Sequence, residues 1–363
     1  MRIALADPPS FTRPYDHSLA AALARRGHEV HLIASPFPHD ADAGGASYHV
    51  HEVAFPLSGR LARGTLRRAV RAAEYPLGIV RVLLAIERLA PDVVHFQWLA
   101  RPRHYKPLLA RLARQRPLIF TAHDLPAPRR PLEPVWPDVL RLMRRVIVHS
   151  RGAVATIESL GVPHERIALI PHPAFEGPDG IAQSPLGEAL LFFGLLREYK
   201  GLDVLVRALA RVPEARLVVA GDPVDPVEPL RALAREVGVE ARIEWRLGFR
   251  PQPEVTELMR QAALVVLPYR QVDASGVLAT ALGHGRPAVV SDVGSLGDLV
   301  RKYGAGDVVP PGDADALAAA LRALLRDPAA LERAQSGARR AARELTWHAA
   351  AEAHERVYAE ATA

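Results

Sequence analysis

Residues 190–201 read L-L-F-F-G-L-L-R-E-Y-K-G. The apolar run 189–193 has the length and borders of a buried strand, and Gly194 ends it. Arg197 and Lys200 follow three apart, just ahead of an amphipathic run that begins at Gly201. A glycine turn leaving a parallel strand, two fixed cations and then a helix form a cradle that suits a phosphate pair. Cations at a helix start oppose its dipole, so an anionic partner gives them a reason. The plain alternative is a pair of solvated surface charges. On this stretch alone both readings stand.

Downstream, strand patterns fall at 216–220, 242–245, 264–267, 287–291 and 307–309. Helical patterns interleave with them at 201–211, 227–237, 254–262, 276–283 and 313–326, and two tail helices follow at 328–344 and 346–361. This alternation predicts a doubly wound parallel sheet. Upstream the same alternation occurs. A strand at 3–6, a loop at 7–14, a helix from about Asp16 to Arg26 closed by Gly27, and a strand at 30–33 form a βαβ opening. A weak strand near 49–54 and buried-strand patterns at 93–96, 118–121 and 146–149 follow, separated by helical stretches at 104–115, 136–145 and 151–160. The segment 167–171 closes this half. Residues 171–185, with several Pro and Gly and little periodicity, read as a linker. The expectation is two Rossmann-like domains, 1–172 and 186–345, with 346–363 returning to the first.

At 363 residues the chain is too long for one ordinary core and suits two. Aromatic residues are only 6% against 49% hydrophobic, so the cores are largely Leu, Val and Ala. Without Cys, disulfide and thiolate chemistry are excluded. The N-terminus reads as a first strand rather than a secretion signal, and no apolar run reaches the ~20 residues of a membrane span. The expectation is a cytoplasmic protein. Charge is uneven: residues 1–180 carry 24 Lys+Arg against 16 Asp+Glu, residues 181–363 carry 22 against 24. The first half therefore points to an anionic partner. Within it, residues 59–71 place Arg60, Arg63, Arg67 and Arg71 at helical spacing on one predicted face. That face fits an anionic membrane surface, peripheral on its inner side, or a plain solvated helix. It lacks the interleaved aromatics of a nucleic-acid platform.

Three pieces of the second half follow strands, as a phosphate site requires: Arg197 with Lys200, the Gly248-Phe249 turn, and Asp273-Ala274-Ser275-Gly276-Val277, which opens a helix after Tyr269. A Ser-Gly helix start offers unpaired amides and the positive dipole end, which bind phosphate without a metal. Together they suit a nucleoside diphosphate. In the first half, two strands end in polar clusters, His95-Phe96-Gln97-Trp98 and Thr121-Ala122-His123-Asp124, where open α/β sheets bind ligands. A structural role is the competing reading for each histidine. No G-x-G-x-x-G follows the first strand, and no P-loop occurs. The D-x-D spacings at Asp40/Asp42 and Asp313/Asp315 read as turn and N-cap chemistry rather than a metal site.

These residues carry a resemblance. F-F-G-L-L-R-E-Y-K-G-L-D-V-L at 192–205, P-Y-D-H-S-L-A-A-A-L-A-R-R-G-H-E-V at 14–30, T-A-H-D at 121–124, V-H-S at 148–150, I-P-H at 170–172 and L-G-H-G-R-P-A-V-V-S-D-V-G at 282–294 occur in the order of the retaining glycosyltransferases of family 4. The chain resembles that family over nearly its whole length. The resemblance implies a GT-B fold: two Rossmann-like domains facing a cleft, with the last helix crossing back to the first. It implies transfer of a hexose from a UDP- or GDP-linked donor, with no cofactor and no metal, in polysaccharide, glycolipid or glycoconjugate synthesis. Lys200 matches the family's diphosphate-binding Lys, Arg197 its partner, and His123 its active-site His. The donor would also meet Gly194, Gly248, Phe249, Tyr269, Asp273, Ser275, Gly276, Val277 and Thr280. The acceptor, a saccharide or lipid-linked saccharide, would meet Asp16, His17, Gln97 and Trp98.

The chain departs from the family in places. Leu195 stands where many members carry Arg directly after the Gly. Thr280 and Val272 occupy the places of two family Glu residues, with Asp273 one position along as a substitute for the earlier. Pro8-Pro9-Ser10 replaces the Gly-rich loop after the first strand. A nucleotide-sugar epimerase of the same architecture and a non-catalytic sugar-nucleotide-binding subunit are the alternatives.

Overall fold

The computed structural model describes residues 1–36, 47–61, 64–123, 125, 132–177 and 186–363. Arg63, Asp124 and the Asp40/Asp42 pair lie outside the described residues. The chain forms two compact units: Met1–Pro171 with Trp347–Ala363, and His172–Thr346.

The first unit is built on a seven-stranded, all-parallel sheet. Its strands are β1 (Arg2–Asp7), β2 (Glu29–Ala34), β3 (His49–Glu52), β4 (Val93–Phe96), β5 (Leu118–Thr121), β6 (Arg145–Val148) and β7 (Ile167–Leu169), in the order β3-β2-β1-β4-β5-β6-β7. The order reverses between β1 and β4, which opens the crevice where doubly wound folds bind ligands. The helices of this unit are α1 (Arg13–Arg25), α2 (Thr65–Leu89), α3 (Pro102–Leu112), α4 (Trp136–Arg141) and α5 (Arg151–Ser159). The C-terminal helix α13 (Trp347–Thr362) also belongs to this unit and packs on α1. Its contacts include Arg26 on Glu355 at 2.7 Å, Arg145 on Glu360 at 2.9 Å, and the buried Tyr358 hydroxyl on His95 Nδ1 at 2.8 Å.

The second unit carries the shorter order β10-β9-β8-β11-β12-β13, again all parallel. Here β8 is Ala189–Phe193, β9 Leu217–Gly221, β10 Ile243–Leu247, β11 Ala262–Leu267, β12 Ala288–Ser291 and β13 Gly306–Val309. Helices α6 (Leu202–Leu209), α7 (Glu228–Glu236), α8 (Gln252–Gln261), α9 (Gly276–Gly283), α10 (Leu296–Tyr303), α11 (Ala314–Arg326) and α12 (Pro328–Glu344) cover both faces. The sequence reading has no counterpart of α10. Asp313 caps α11, accepting from the amides of Asp315 and Ala316, so this D-x-D is helix-start chemistry. Residues 174 and 175 of the expected linker are packed into this unit instead. The Ala174 amide donates to Leu345 O and the Phe175 amide to Ala279 O.

Among the described residues, Arg60, Arg67 and Arg71 do not share one helix face. Arg60 sits in a 3-10 turn, Ser58–Arg60, and α2 begins only at Thr65. Arg71 is half-buried: its guanidinium lies 4.1 Å from the Phe55 ring centre, and its Nε donates to Ser58 Oγ at 2.8 Å. The helix then runs on to Leu89, well past the expected end at 71.

Asp16 is wholly buried in the first turn of α1, beside Asp7 at the end of β1, so it is no surface contact for an acceptor. Burial, and then the neighbouring Asp7, push the Asp16 carboxyl well above the usual carboxylate range. The folded chain therefore holds a proton here to higher pH than the unfolded chain does. That contribution is complete below the unfolded value near 3.8 and disappears as pH rises through the higher folded value. Asp16→Asn keeps the shape and removes the charge. It is expected to raise the melting temperature at pH 8 and leave it nearly unchanged near pH 4; equal melting at pH 8 would refute the cost of burying the Asp16 carboxyl beside Asp7.

In the second unit β8 and β9 end in touching backbones. A Cβ on Gly221, whose φ is +142°, would stand 1.8 Å from Gly194 O. Gly221→Ala therefore combines backbone strain with a backbone clash, together costing about 3 kcal/mol or more. A thermal melt is expected to fall by at least ~5 °C.

Candidate functional site

The second unit's strand order reverses between β8 and β11, and the residues singled out in its sequence converge at the carboxyl ends of those two strands. Gly194 leaves β8 with φ +107°, and a Cβ there would stand 3.0 Å from both Lys200 Nζ and Val277 Cγ2. The ammonium, the glycine and the first turn of α9 thus meet at one point. Gly201 follows Lys200 in the left-handed region at φ +67°, and a Cβ there would lie 2.0 Å from Pro268 O. Only a glycine lets the turn after Lys200 seat this tightly against the end of β11.

Lys200 is 7% exposed and has no ion pair among the described residues. Its Nζ lies 5.3 Å from the ring centre of buried Tyr269. Burial, with Arg197 adding like-charge repulsion, lowers its pKa from 10.5 to about 8. A buried ammonium beside a second cation is costly by itself and favourable once an anion joins them. Ser275 caps α9, its Oγ accepting from the Leu278 amide at 3.3 Å, which leaves the amides ahead of Leu278 at the positive end of the helix.

Two residues that sequence reasoning passed over brace this loop pair. Arg270 holds Asp203 with both guanidinium nitrogens, at 2.9 and 2.6 Å, and donates to Glu198 O at 2.9 Å. Its own amide donates to Tyr199 O at 2.7 Å. The segment carrying Lys200 is thereby tied to the loop after β11. The available signal was Asp203 in the first turn of the helix after the cations. The Asp273 loop is held similarly, with the Ser295 amide and hydroxyl donating to Asp273 O at 2.7 and 2.9 Å. Gly248 turns at φ +107°, and the Phe249 ring after it is 44% exposed. Thr280 faces inward, its hydroxyl donating to Gly276 O at 2.8 Å.

In the first unit a chain of buried rings lies behind the ends of β4 and β5. His149 Nδ1 donates to Ile170 O at 2.8 Å, and burial pushes its pKa down to about 4. The ring is therefore neutral, and its Nε2 accepts from His123 Nδ1 at 3.1 Å. His123 Nε2 faces Gln97 Oε1 at 2.8 Å. A charged His123 donates from both nitrogens and takes that amide as it stands; a neutral one needs the amide turned the other way. Trp98 stacks on His123 at 5.6 Å and 12°, and Tyr15 meets it edge-on at 4.7 Å. Gln97 is fully buried, so it orients His123 rather than meeting an acceptor. Trp98 remains partly exposed, held through Nε1 by Thr12 Oγ1 at 2.9 Å. His17 is separate from this chain. It bonds Tyr48 and lines an open cavity of about 460 Å³ with Arg25 and Trp347.

Comparison with known proteins matches both halves. The family described as Glycosyltransferase Family 4 matches residues 15–174, and Glycosyl transferases group 1 matches residues 187–327. The chain is 31% identical to a D-inositol 3-phosphate glycosyltransferase of Xylanimonas cellulosilytica, over 96% of this chain and 91% of that protein. It is 29% identical to the protein of the same name from Thermobispora bispora, over 94% and 96%. Among solved structures, the sucrose-phosphate synthase of Thermosynechococcus elongatus superposes with a TM-score of 0.78 at 21% identity, covering 99% of this chain and 98% of that one. Anabaena HepE in complex with UDP-glucose gives 0.72 at 18% identity, covering 99% and 100%. These solved structures share its fold. With both halves matched, a near-full-length relative above 30% identity, and two Rossmann-like sheets of the required order, the chain belongs to the family 4 glycosyltransferases and is a glycosyltransferase of the GT-B type.

Proposed function

We propose that the second unit binds a nucleoside-diphosphate hexose and that the first takes a hydroxylated acceptor, the hexose passing with retention of configuration and without a metal. The observation that carries the donor reading is Lys200, a buried ammonium without a carboxylate partner among the described residues, beside Arg197 and the start of α9. In the proposed step the bond from the anomeric carbon to the diphosphate oxygen breaks and the acceptor oxygen bonds that carbon on the same face. The acceptor's proton passes to a donor phosphate oxygen, so no protein carboxylate is needed as base. Lys200, Arg197 and the amides around Gly276 and Val277 stabilise the charge that grows on the departing diphosphate. The Phe249 ring, 44% exposed, is assigned to the base, and the Asp273 carboxylate to the sugar hydroxyls.

The acceptor is proposed to be anionic. The basic balance of residues 1–180 favours that class, and the curated relatives are named for a phosphorylated cyclitol. A lipid-linked saccharide phosphate is of the same charge class. His123, locked by His149 and Gln97, is the group assigned to its reacting end.

Calorimetric titration with UDP, GDP and ADP tests the donor site. Lys200→Met is expected to weaken the tightest of these by roughly 10–100-fold, the scale of a lost charge-assisted contact. In the native protein the ammonium binds phosphate only when protonated. Affinity should therefore be level below pH ~8 and fall by up to about tenfold per unit above it. Unchanged affinity in Lys200→Met, or a flat profile through pH 9, would sink the assignment.

A further inference from the structure

The helix α2 is apolar on two opposite faces. Tyr75, Gly78, Val82 and Ile86 form the inner one, and it is tightly seated: a Cβ on Gly78 would lie 2.5 Å from Ala54 O. The opposite side presents Leu66, Ala69, Ala73, Leu77, Val80 and Leu84, spaced three and four apart. Its four large side chains are 66, 52, 47 and 42% exposed for Leu66, Leu77, Val80 and Leu84. With Leu57, they supply half of the large exposed hydrophobics among the described residues, so the patch is concentrated rather than scattered. At 1.5 Å per residue the stripe is about 27 Å long. It is too polar along its flanks to cross a membrane and has the length and width of a helix lying in an interface.

Charge decides the occupant. The helix carries Arg67, Arg68, Arg71, Arg81 and Arg88 against Glu74 and Glu87. Both acids are spent inside the molecule. Glu74 accepts from the amides of Leu57 and Ser58 at 2.9 and 2.8 Å, and Glu87 pairs with Arg111 at 2.7 Å. Arg68, Arg81 and Arg88 make no ion pair among the described residues, and Arg81 and Arg88 border the stripe along one edge. A leucine stripe edged by uncompensated guanidinium groups complements acyl chains beneath anionic headgroups. Isologous pairing of two copies through the same stripe would crowd these arginines into one seam, like charge against like. We propose that the outer face of α2 docks the protein onto an anionic lipid bilayer, with Leu66, Leu77, Val80 and Leu84 entering the interface and Arg81 and Arg88 meeting headgroup phosphates. This assignment is independent of the donor and acceptor reading.

Co-sedimentation of the full chain with phosphatidylcholine vesicles, with and without phosphatidylglycerol, tests it. Binding is expected to be at least ~10-fold stronger to the anionic vesicles and to fall as salt rises. Leu77→Glu combined with Leu84→Glu should abolish it while leaving circular dichroism, melting temperature and nucleotide binding unchanged, because both side chains are exposed. Arg81→Gln with Arg88→Gln should erase the preference for anionic lipid. Failure of the native chain to bind anionic vesicles would overturn the proposal. So would undiminished binding by the double glutamate variant. A native dimer that this variant converts to monomer, with no vesicle binding, would assign the face to a second copy instead.

Discussion

The second unit depends on how closely two backbones approach beside one ammonium. Gly194 meets Gly221 at the end of β8, and Gly201 meets Pro268 O at the end of β11. Neither contact leaves room for a Cβ. The glycines bring the segment 194–201 down into the mouth of the sheet, and that descent buries Lys200. A lysine in an ordinary helix-start loop would keep its Nζ in water near pKa 10.4. Here desolvation and Arg197 bring it to about 8, and no acid among the described residues pairs with it to offset this. The free energy withheld from the folded state is available to an anion that completes the set. Arg270, bonded to Asp203 and to two backbone carbonyls across the gap, keeps the geometry while the site waits.

Much of this was legible in the sequence because parallel strands buried on both faces write themselves as short apolar runs. The five residues 189–193 coincide with β8, and the helix at 276–283 coincides with α9. The ordered motifs led to the family without any structure. What the sequence hid had physical causes. The helix α2 is apolar on two sides, so its run from 77 to 89 lacks the contrast that marks an amphipathic helix, and Pro76 inside it reads as a stop. The arginines at 60–71 do repeat at helical spacing, but Arg60 precedes the helix and Arg71 turns inward onto Phe55. Arg270 carried no local signal of its own; the one hint, Asp203 in the first turn of the helix after the cations, lies 67 positions away.

The first unit shows why spacing names a residue sooner than its task. Asp16, Gln97 and His123 all lie at the switch region, as open sheets require. Two of the three are wholly buried. Gln97 and His149 act on His123 from either side, and the carbonyl of Ile170 begins the chain by fixing the His149 tautomer. Burial holds His95 well below the usual histidine range, so the network stays neutral at that end. Polar residues at strand ends thus form layers. The ring that can reach a ligand stands in front, and the groups that set its protons stand behind.

The same distinction bears on the departures from the family at the donor side. A carboxylate at position 280 would offer two acceptor oxygens. Thr280 offers one hydroxyl, and its proton is already given to Gly276 O in the preceding turn. The oxygen can still accept from a donor hydroxyl, yet only along its remaining lone pairs. Leu195 likewise adds no charge where a third cation would stand. Neither change touches the buried centre, Lys200 against Gly194 and Val277 with Arg197 alongside. In the proposed donor site the charge facing a diphosphate is therefore concentrated in one buried ammonium, and its protonation would govern donor affinity more than in a site sharing that charge among several groups.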